Sequence, residues 1–407
     1  MFISAPRGRC RGHAATIAAI VGMMASPCVA APLTETEAIE SALAQPEIIE
    51  LGEANRAEAE ARVAGIRRFD NPEASVSRER VSDNGIAETE WQAGIIQPLD
   101  LAGRRSRLRA AARAEAGAVE ADTARRRHER IAEVRRAYAA CAAAEEKTIV
   151  TRAFTSRLRE AERIVALRAN AGDASGYDIR RLRVEARTAE AQAALQQGEV
   201  NASCASLASL TGDPNARPSA SIALLASARV PASQGPRPDL LAREQRLVAA
   251  TEQARAAERA RIPEVSIGIG FKQIDSMLAT ASGPVASIGM RVPLFDGGGA
   301  AVAEARARQR AREAELGLAR REVDASIAAA EARSTAALEA AQRAQQASDD
   351  AHRLGTIAEA AYQGGESGVV ELVDAYRTAR DAELEIIDLL ERAVRARIDL
   401  DLARGGE

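Results

Sequence analysis

Two short, glycine-broken stretches hold the residues best placed to act on a passing solute. The first runs Gly172-Asp173-Ala174-Ser175-Gly176-Tyr177-Asp178-Ile179, and the second Gly365-Glu366-Ser367-Gly368-Val369-Val370-Glu371-Leu372, with Asp374 a turn further on. Aligned, they set Gly172-Asp173 against Gly365-Glu366 and Asp178-Ile179 against Glu371-Leu372, so acids recur at one spacing beside the hinge glycines Gly172, Gly176, Gly365 and Gly368. Carboxylates gathered around a passage favour cations and repel anions. Near helix starts they also cap N–H groups and offset the macrodipole. Capping suits Asp173 and Ser175, whereas Asp178, Glu371 and Asp374 lie inside their helices and suit a pore-facing role.

Other chemistry is sparse. Cys141 and Cys204 stand about equally far from the turn at Gly172-Asp173, so antiparallel helices bring them level. Both fall on apolar stripes, which leaves two readings, a disulfide or two small buried thiols. His128 and His352 are far apart and lack the Cys or carboxylate spacing of a zinc site, so no metal ligand is assigned. Gly268-Ile269-Gly270 lies inside a strand pattern, and Gly297-Gly298-Gly299 lacks a following Lys-Ser or Lys-Thr, so neither is a phosphate loop. The chain has no catalytic constellation and no cofactor site, and does not read as an enzyme.

Long helices must position the two acidic turns. Ala102 to about Arg168 carries no proline and a single internal Gly117, which makes about 100 Å of helix, and Tyr177 to about Leu210 returns. A second set follows, with a helix from Asp239 to Arg261, a long one from Ala300 to about Tyr362, and a return from Val369 to about Ala403. Leu33 to about Arg68 also has a helical pattern, and Thr211 to Pro238 reads as a linker or surface loop. Ile131, Val134, Tyr138 and Cys141, like Ile179, Leu182, Ala186, Ala189 and Ala193, form narrow Ala-rich stripes suited to coiled-coil packing.

A β-hairpin precedes each long helix. In residues 73–96 the chain opens at Asn71-Pro72-Glu73, turns at Asp83-Asn84-Gly85 and returns through Trp91 to Ile96. In residues 264–292, Val265, Ile267, Ile269 and Phe271 alternate with Ser266, Gly268, Gly270 and Lys272, and Ala286, Ile288, Met290 and Val292 alternate likewise. One apolar and one small or polar face suit a barrel between lipid and water. A half-buried soluble sheet alternates in the same way, but no helix here has an apolar face broad enough to cover one. Four strands do not close a barrel, for which about eight is the minimum, so closure demands an oligomer. Residues 31–238 and 239–407 thus read as tandem copies of one hairpin-plus-helices unit, mainly α with two β-hairpins.

Aromatic residues make up 2% of the chain, which favours long helices over a bulky globular core. Arg7, Arg9 and Arg11, the apolar run Ala14 to Met24, and Cys28-Val29-Ala30 read as a signal peptide over residues 1–30. Cys28 follows Ala25-Ser26-Pro27, a poor lipidation site. Loss of that leader takes the formal charge from −3 to about −6, which argues against a nucleic-acid partner.

Laid out in order, the chain resembles the TolC family of outer-membrane channel proteins. The resemblance rests on the leader, the duplicated plan, Asn71-Pro72-Glu73, Gln97-Pro98-Leu99, Arg237-Pro238-Asp239 and Val292-Pro293-Leu294-Phe295-Asp296-Gly297-Gly298. Gln97-Pro98-Leu99-Asp100 with Gly103-Arg104-Arg105 is similar to the CzcC-like branch, which serves heavy-metal efflux. The resemblance implies a homotrimer, with a β-barrel in the outer membrane of a Gram-negative bacterium continuous with a periplasmic α-barrel of long antiparallel coiled-coil helices. It also implies a periplasmic adaptor, or membrane fusion protein, and an inner-membrane pump, for example of the RND type. Three subunits would gather Asp173, Asp178, Glu366, Glu371 and Asp374 into an acidic ring where the adaptor docks. Two alternatives stand beside this efflux channel for metal cations or drugs. One is a conduit for type I protein secretion, and the other a periplasmic coiled-coil scaffold without a pore, which leaves the hairpins unexplained.

Overall fold

The computed structural model describes residues 32–67, 69–83, 86–172, 174–227, 236–277 and 279–406. The expected leader, the Asn84-Gly85 turn and Asp173 lie outside these residues.

Thr34 caps α1 (Glu35–Leu43) reciprocally: its Oγ1 accepts from Glu37 N, and the Glu37 carboxylate accepts from Thr34 N over 2.9 Å. The helix expected from Leu33 to Arg68 is broken. Pro46 has no N–H and holds Gln45 extended, at ψ 131°, so α2 (Pro46–Gly65) starts afresh.

The hairpin β1 (Glu73–Asp83) and β2 (Ile86–Leu99) joins the hairpin β3 (Glu264–Asp275) and β4 (Thr280–Arg291) in one antiparallel sheet, ordered β1-β2-β3-β4. The strands outrun the alternating apolar segments, because backbone pairing continues through Arg78 to Asp83 and Gln273 to Asp275, where most side chains are polar. Edges β1 and β4 have no strand partner among the described residues.

Each hairpin feeds a long helix through a left-handed glycine. Gly103 (φ 67°) precedes α3 (Arg104–Asn170) and Gly298 (φ 68°) precedes α7 (Gly299–Gly364), a backbone conformation that glycine adopts without a Cβ penalty. Asp100 accepts from Arg104 N and Arg105 N, and Asp296 accepts from Gly298 N, so an acid supplies each missing cap.

The return helices are α4 (Gly176–Thr211) and α8 (Val369–Arg404). Between the two sets lie α5 (Ile222–Ser227) and α6 (Pro238–Arg259). The segment expected as a linker therefore contains a helix, and its Ala216, Ile222 and Leu225 are buried because they complete the apolar cluster around Tyr138.

Short helices stack end to end beside long ones. Where α4 ends against α2, Gln45 Nε2 donates to the Leu210 carbonyl over 2.7 Å; where α8 ends against α6, Arg237 donates to the Ala403 carbonyl. Both junction residues precede a proline at the first helical position, Pro46 and Pro238. The helix packing is thin and Ala-rich. One cluster centres on Val134, Tyr138, Cys141, Cys204, Leu207 and Ile398, and a second, at the helix turns, on Phe154, Leu158, Leu182, Leu372, Val373 and Tyr376.

Candidate functional site: the helix turns and the apolar sheet face

The two helix turns come together at one end of the helical body. Val165 of α3, Leu182 of α4, Tyr362 of α7, and Val369 and Leu372 of α8 share one buried cluster there. Arg168 near the end of α3 ties the hairpins: its guanidinium lies 4.9 Å from the Tyr362 ring centroid and donates to the Tyr362 and Gln363 carbonyls, each over 3.4 Å. Those carbonyls sit in the last turn of α7, where a cation also meets the negative end of the dipole. About three turns into α8, Arg380 lies 4.4 Å over Phe154 of α3, and Arg377 pairs with Glu185 of α4. A cavity of about 190 Å³ between α3, α7 and α8 is lined by Arg157, Glu359, Tyr362 and Tyr376. Burial there, together with the charge of Glu359, pushes the Tyr376 hydroxyl up to about 12.

The acids singled out from sequence take different positions at this end. Glu371 turns back so that Oε2 accepts from Gly368 N over 3.1 Å, so the capping role assigned to Asp173 and Ser175 extends to Glu371. Ser175 caps α4, accepting from Tyr177 N over 3.0 Å, and Asp178 is half-buried in that helix's first turn. Glu366 is exposed in the α7–α8 turn, and Asp374 is exposed on α8. Of the hinge glycines, Gly172 (φ 88°) and Gly365 (φ 76°) are left-handed, while Gly368 and Gly176 start α8 and α4.

Sequence reading overlooked two features. The exposed stripe Glu371, Asp374, Thr378, Asp381 and Glu385 continues the acids along α8, opposite buried Leu372, Val373, Tyr376 and Ala379; its 3,4 spacing was the available signal. The Arg168–Tyr362 contact had no such signal, because it joins residues 194 apart.

Cys141 of α3 and Cys204 of α4 are joined by a disulfide, with Cα atoms 4.8 Å apart. With Glu145 they are the one grouping of metal-ligating side chains among the described residues, and the disulfide occupies both sulfurs.

At the opposite end the sheet presents a continuous apolar face. Register places Val76, Ala93, Ile95, Ile267, Ile269, Phe271, Ala286, Ile288 and Met290 on one side, where Val76, Ile269 and Ile288 are 73%, 74% and 82% exposed. Leu101, Leu294 and Phe295, all exposed, continue it below the strands. The other side is mostly small or polar, with Val81, Ile96, Ile274 and Val285 as its larger apolar residues. A Cβ on Gly270 would lie 2.6 Å from the Ala93 carbonyl oxygen, so only glycine admits the close strand approach on that side. No helix among the described residues is long and apolar enough to cross a membrane.

Long helices carrying an uncovered sheet with an apolar face define an outer-membrane channel: strands for a transmembrane β-barrel and a large helical part for the periplasm. The sequence profile described as "Outer membrane efflux protein" matches residues 39–213 and 232–406, and the chain belongs to that family of outer-membrane transport components. Solved structures agree on the fold. The outer membrane protein VceC of Vibrio cholerae is 20% identical, with a TM-score of 0.73 over 91% of this chain and 96% of that one. CusC, described through its transmembrane channel formation, is 20% identical, with a TM-score of 0.76 over 92% of each chain. The Campylobacter jejuni outer membrane channel CmeC is 15% identical, with a TM-score of 0.74 over 91% and 85%. No curated protein matches the chain by sequence.

Proposed function

We propose that the chain is the outer-membrane exit duct of a tripartite efflux system, fed by a periplasmic adaptor and an inner-membrane pump. The observation that carries this is the four-stranded sheet whose apolar face is exposed and whose edges β1 and β4 are open. Unpaired backbone in lipid costs several kcal/mol per group, so the edges must meet those of other copies. Three copies supply twelve strands, enough to enclose a lumen. The matching junctions, capped glycines and twofold family match support a tandem duplication of 31–238 and 239–407.

The joined helix turns are the gate and the adaptor contact, with Arg168 as a latch between hairpins. The uncapped acids Glu366 and Asp374 make the narrow end favour cations, which suits metal cations or cationic drugs as substrates. The CzcC-like motif at Gln97-Pro98-Leu99-Asp100 supports the metal reading. A deletion strain tested against metals, drugs and dyes distinguishes these substrates. Selective sensitivity is expected, whereas unchanged resistance with loss of an exported protein would favour the type I secretion conduit. Cross-linking in mild detergent should stop at three subunits, and a conducting monomer would overturn barrel closure.

A further inference from the structure

We propose that Arg78 and Arg80 bind the phosphate groups of a phosphorylated glycolipid in the outer leaflet, with Trp91 seated at the same depth; this rests on the barrel reading above. Arg78 pairs across the sheet with Trp91, and Arg80 with Thr89, so both arginines lie on the apolar face. They stand beyond its last apolar row, which is formed by Val76, Ala93, Phe271 and Pro284. From Leu99 to Trp91 the strand advances about 26 Å, or about 20 Å of height at a tilt near 40°. Leu101, Leu294 and Phe295 extend the apolar surface toward the ~25 Å of an outer-membrane band. The strands enter from the periplasmic helices, so the arginines lie at the far, external boundary.

Charge is segregated between the two faces. On the polar face Lys272 is neutralised by Glu90 at 2.6 Å, and Glu79 and Glu88 share that side. No carboxylate among the described residues pairs with Arg78 or Arg80; Asp275 on their face is two strands from Arg80 and accepts from Gln273 Nε2 over 3.1 Å. Closure by a second copy does not change this, because β4 contains no acid. The Arg78 guanidinium lies 5.1 Å from the Trp91 ring centroid, stacked on one side and free to donate on the other. Unpaired guanidiniums at the edge of an apolar band match a phosphate bound to acyl chains, since the fork of donors fits phosphate oxygens.

Trp91 is the single tryptophan, so the emission of the whole protein reports this position. In phosphatidylcholine vesicles with brominated acyl chains, Trp91 should be quenched in wild type and variants alike. Added lipopolysaccharide should shift the emission in wild type. Arg80→Gln should weaken this response several-fold, and Arg78→Gln with Arg80→Gln tenfold or more, in step with less co-purified lipopolysaccharide from trimers of normal yield. A dephosphorylated glycolipid should give no response. Equal responses and equal co-purified lipid in wild type and both variants, or an equal response to the dephosphorylated lipid, would overturn the proposal while leaving the barrel intact. Absence of acyl-chain quenching would overturn the membrane-facing reading and this proposal with it.

Discussion

Arg168 and Tyr362 join the two helix turns: the guanidinium sits 4.9 Å from the ring centroid and donates to the Tyr362 carbonyl over 3.4 Å. Arg168→Ala removes a cation–π contact of roughly 1 kcal/mol and both carbonyl bonds. The expected outcome is intact trimers with a higher closed-state leak in planar bilayers. Unchanged leak would remove Arg168 as a latch.

Asp374→Ala should lower cation selectivity with little effect on thermal stability, since the residue is exposed and does not cap α8. Glu371→Ala should cost about 1 kcal/mol of helix capping, while Glu371→Gln keeps the acceptor for Gly368 N and restores it. Reversal potentials in salt gradients, read beside melting curves, separate selectivity from capping.

Cys141 and Cys204 close a 63-residue separation, for which the chain-entropy model gives about 4 kcal/mol. The mature protein, unfolded without reductant, should show no free thiol. Two reactive thiols per chain would rule the bond out. Cys204→Ala should lower the denaturant midpoint of the helical body.

Tyr376, pushed up to about 12, should give a late step in tyrosinate absorbance, and Tyr376→Phe should delete that step. An acid whose folded value is raised favours the folded state while protonated. Its contribution is therefore full below pH 10 and falls as the pH rises from 10 to about 12. A wild-type advantage over Tyr376→Phe that grew across this window would contradict the assignment.

Gly270→Val places a Cβ 2.6 Å from the Ala93 carbonyl oxygen and should disrupt pairing of β2 with β3. Loss of heat-modifiable trimers on gels, with helical circular dichroism retained, is the expected signature. Normal trimer yield would show that this side of the sheet has room for a side chain.

Much of this architecture follows from local sequence. The proline-free run after Gly103 propagates a helix because each added residue gains a hydrogen bond, and the alternation from Val265 to Phe271 sets one face of a strand because the side-chain period is two. Pro46 shows where that reading stopped short: the helical periodicity spans the break, whereas the missing N–H of Pro46 is a local stop that periodicity does not register. Gln45 meets Leu210, Arg168 meets Tyr362 and β2 pairs with β3 only once the chain folds back over 165, 194 and about 170 residues. Glu371 and Asp374 share the exposed face of α8 and differ in distance from its start: Glu371 stands three residues after Gly368 and caps its N–H, whereas Asp374, a turn further on, does not. Periodicity is a property of the chain and was legible in it. Partnership between distant segments depends on complementary surfaces that exist only after the helices have packed, and tertiary structure alone decided it.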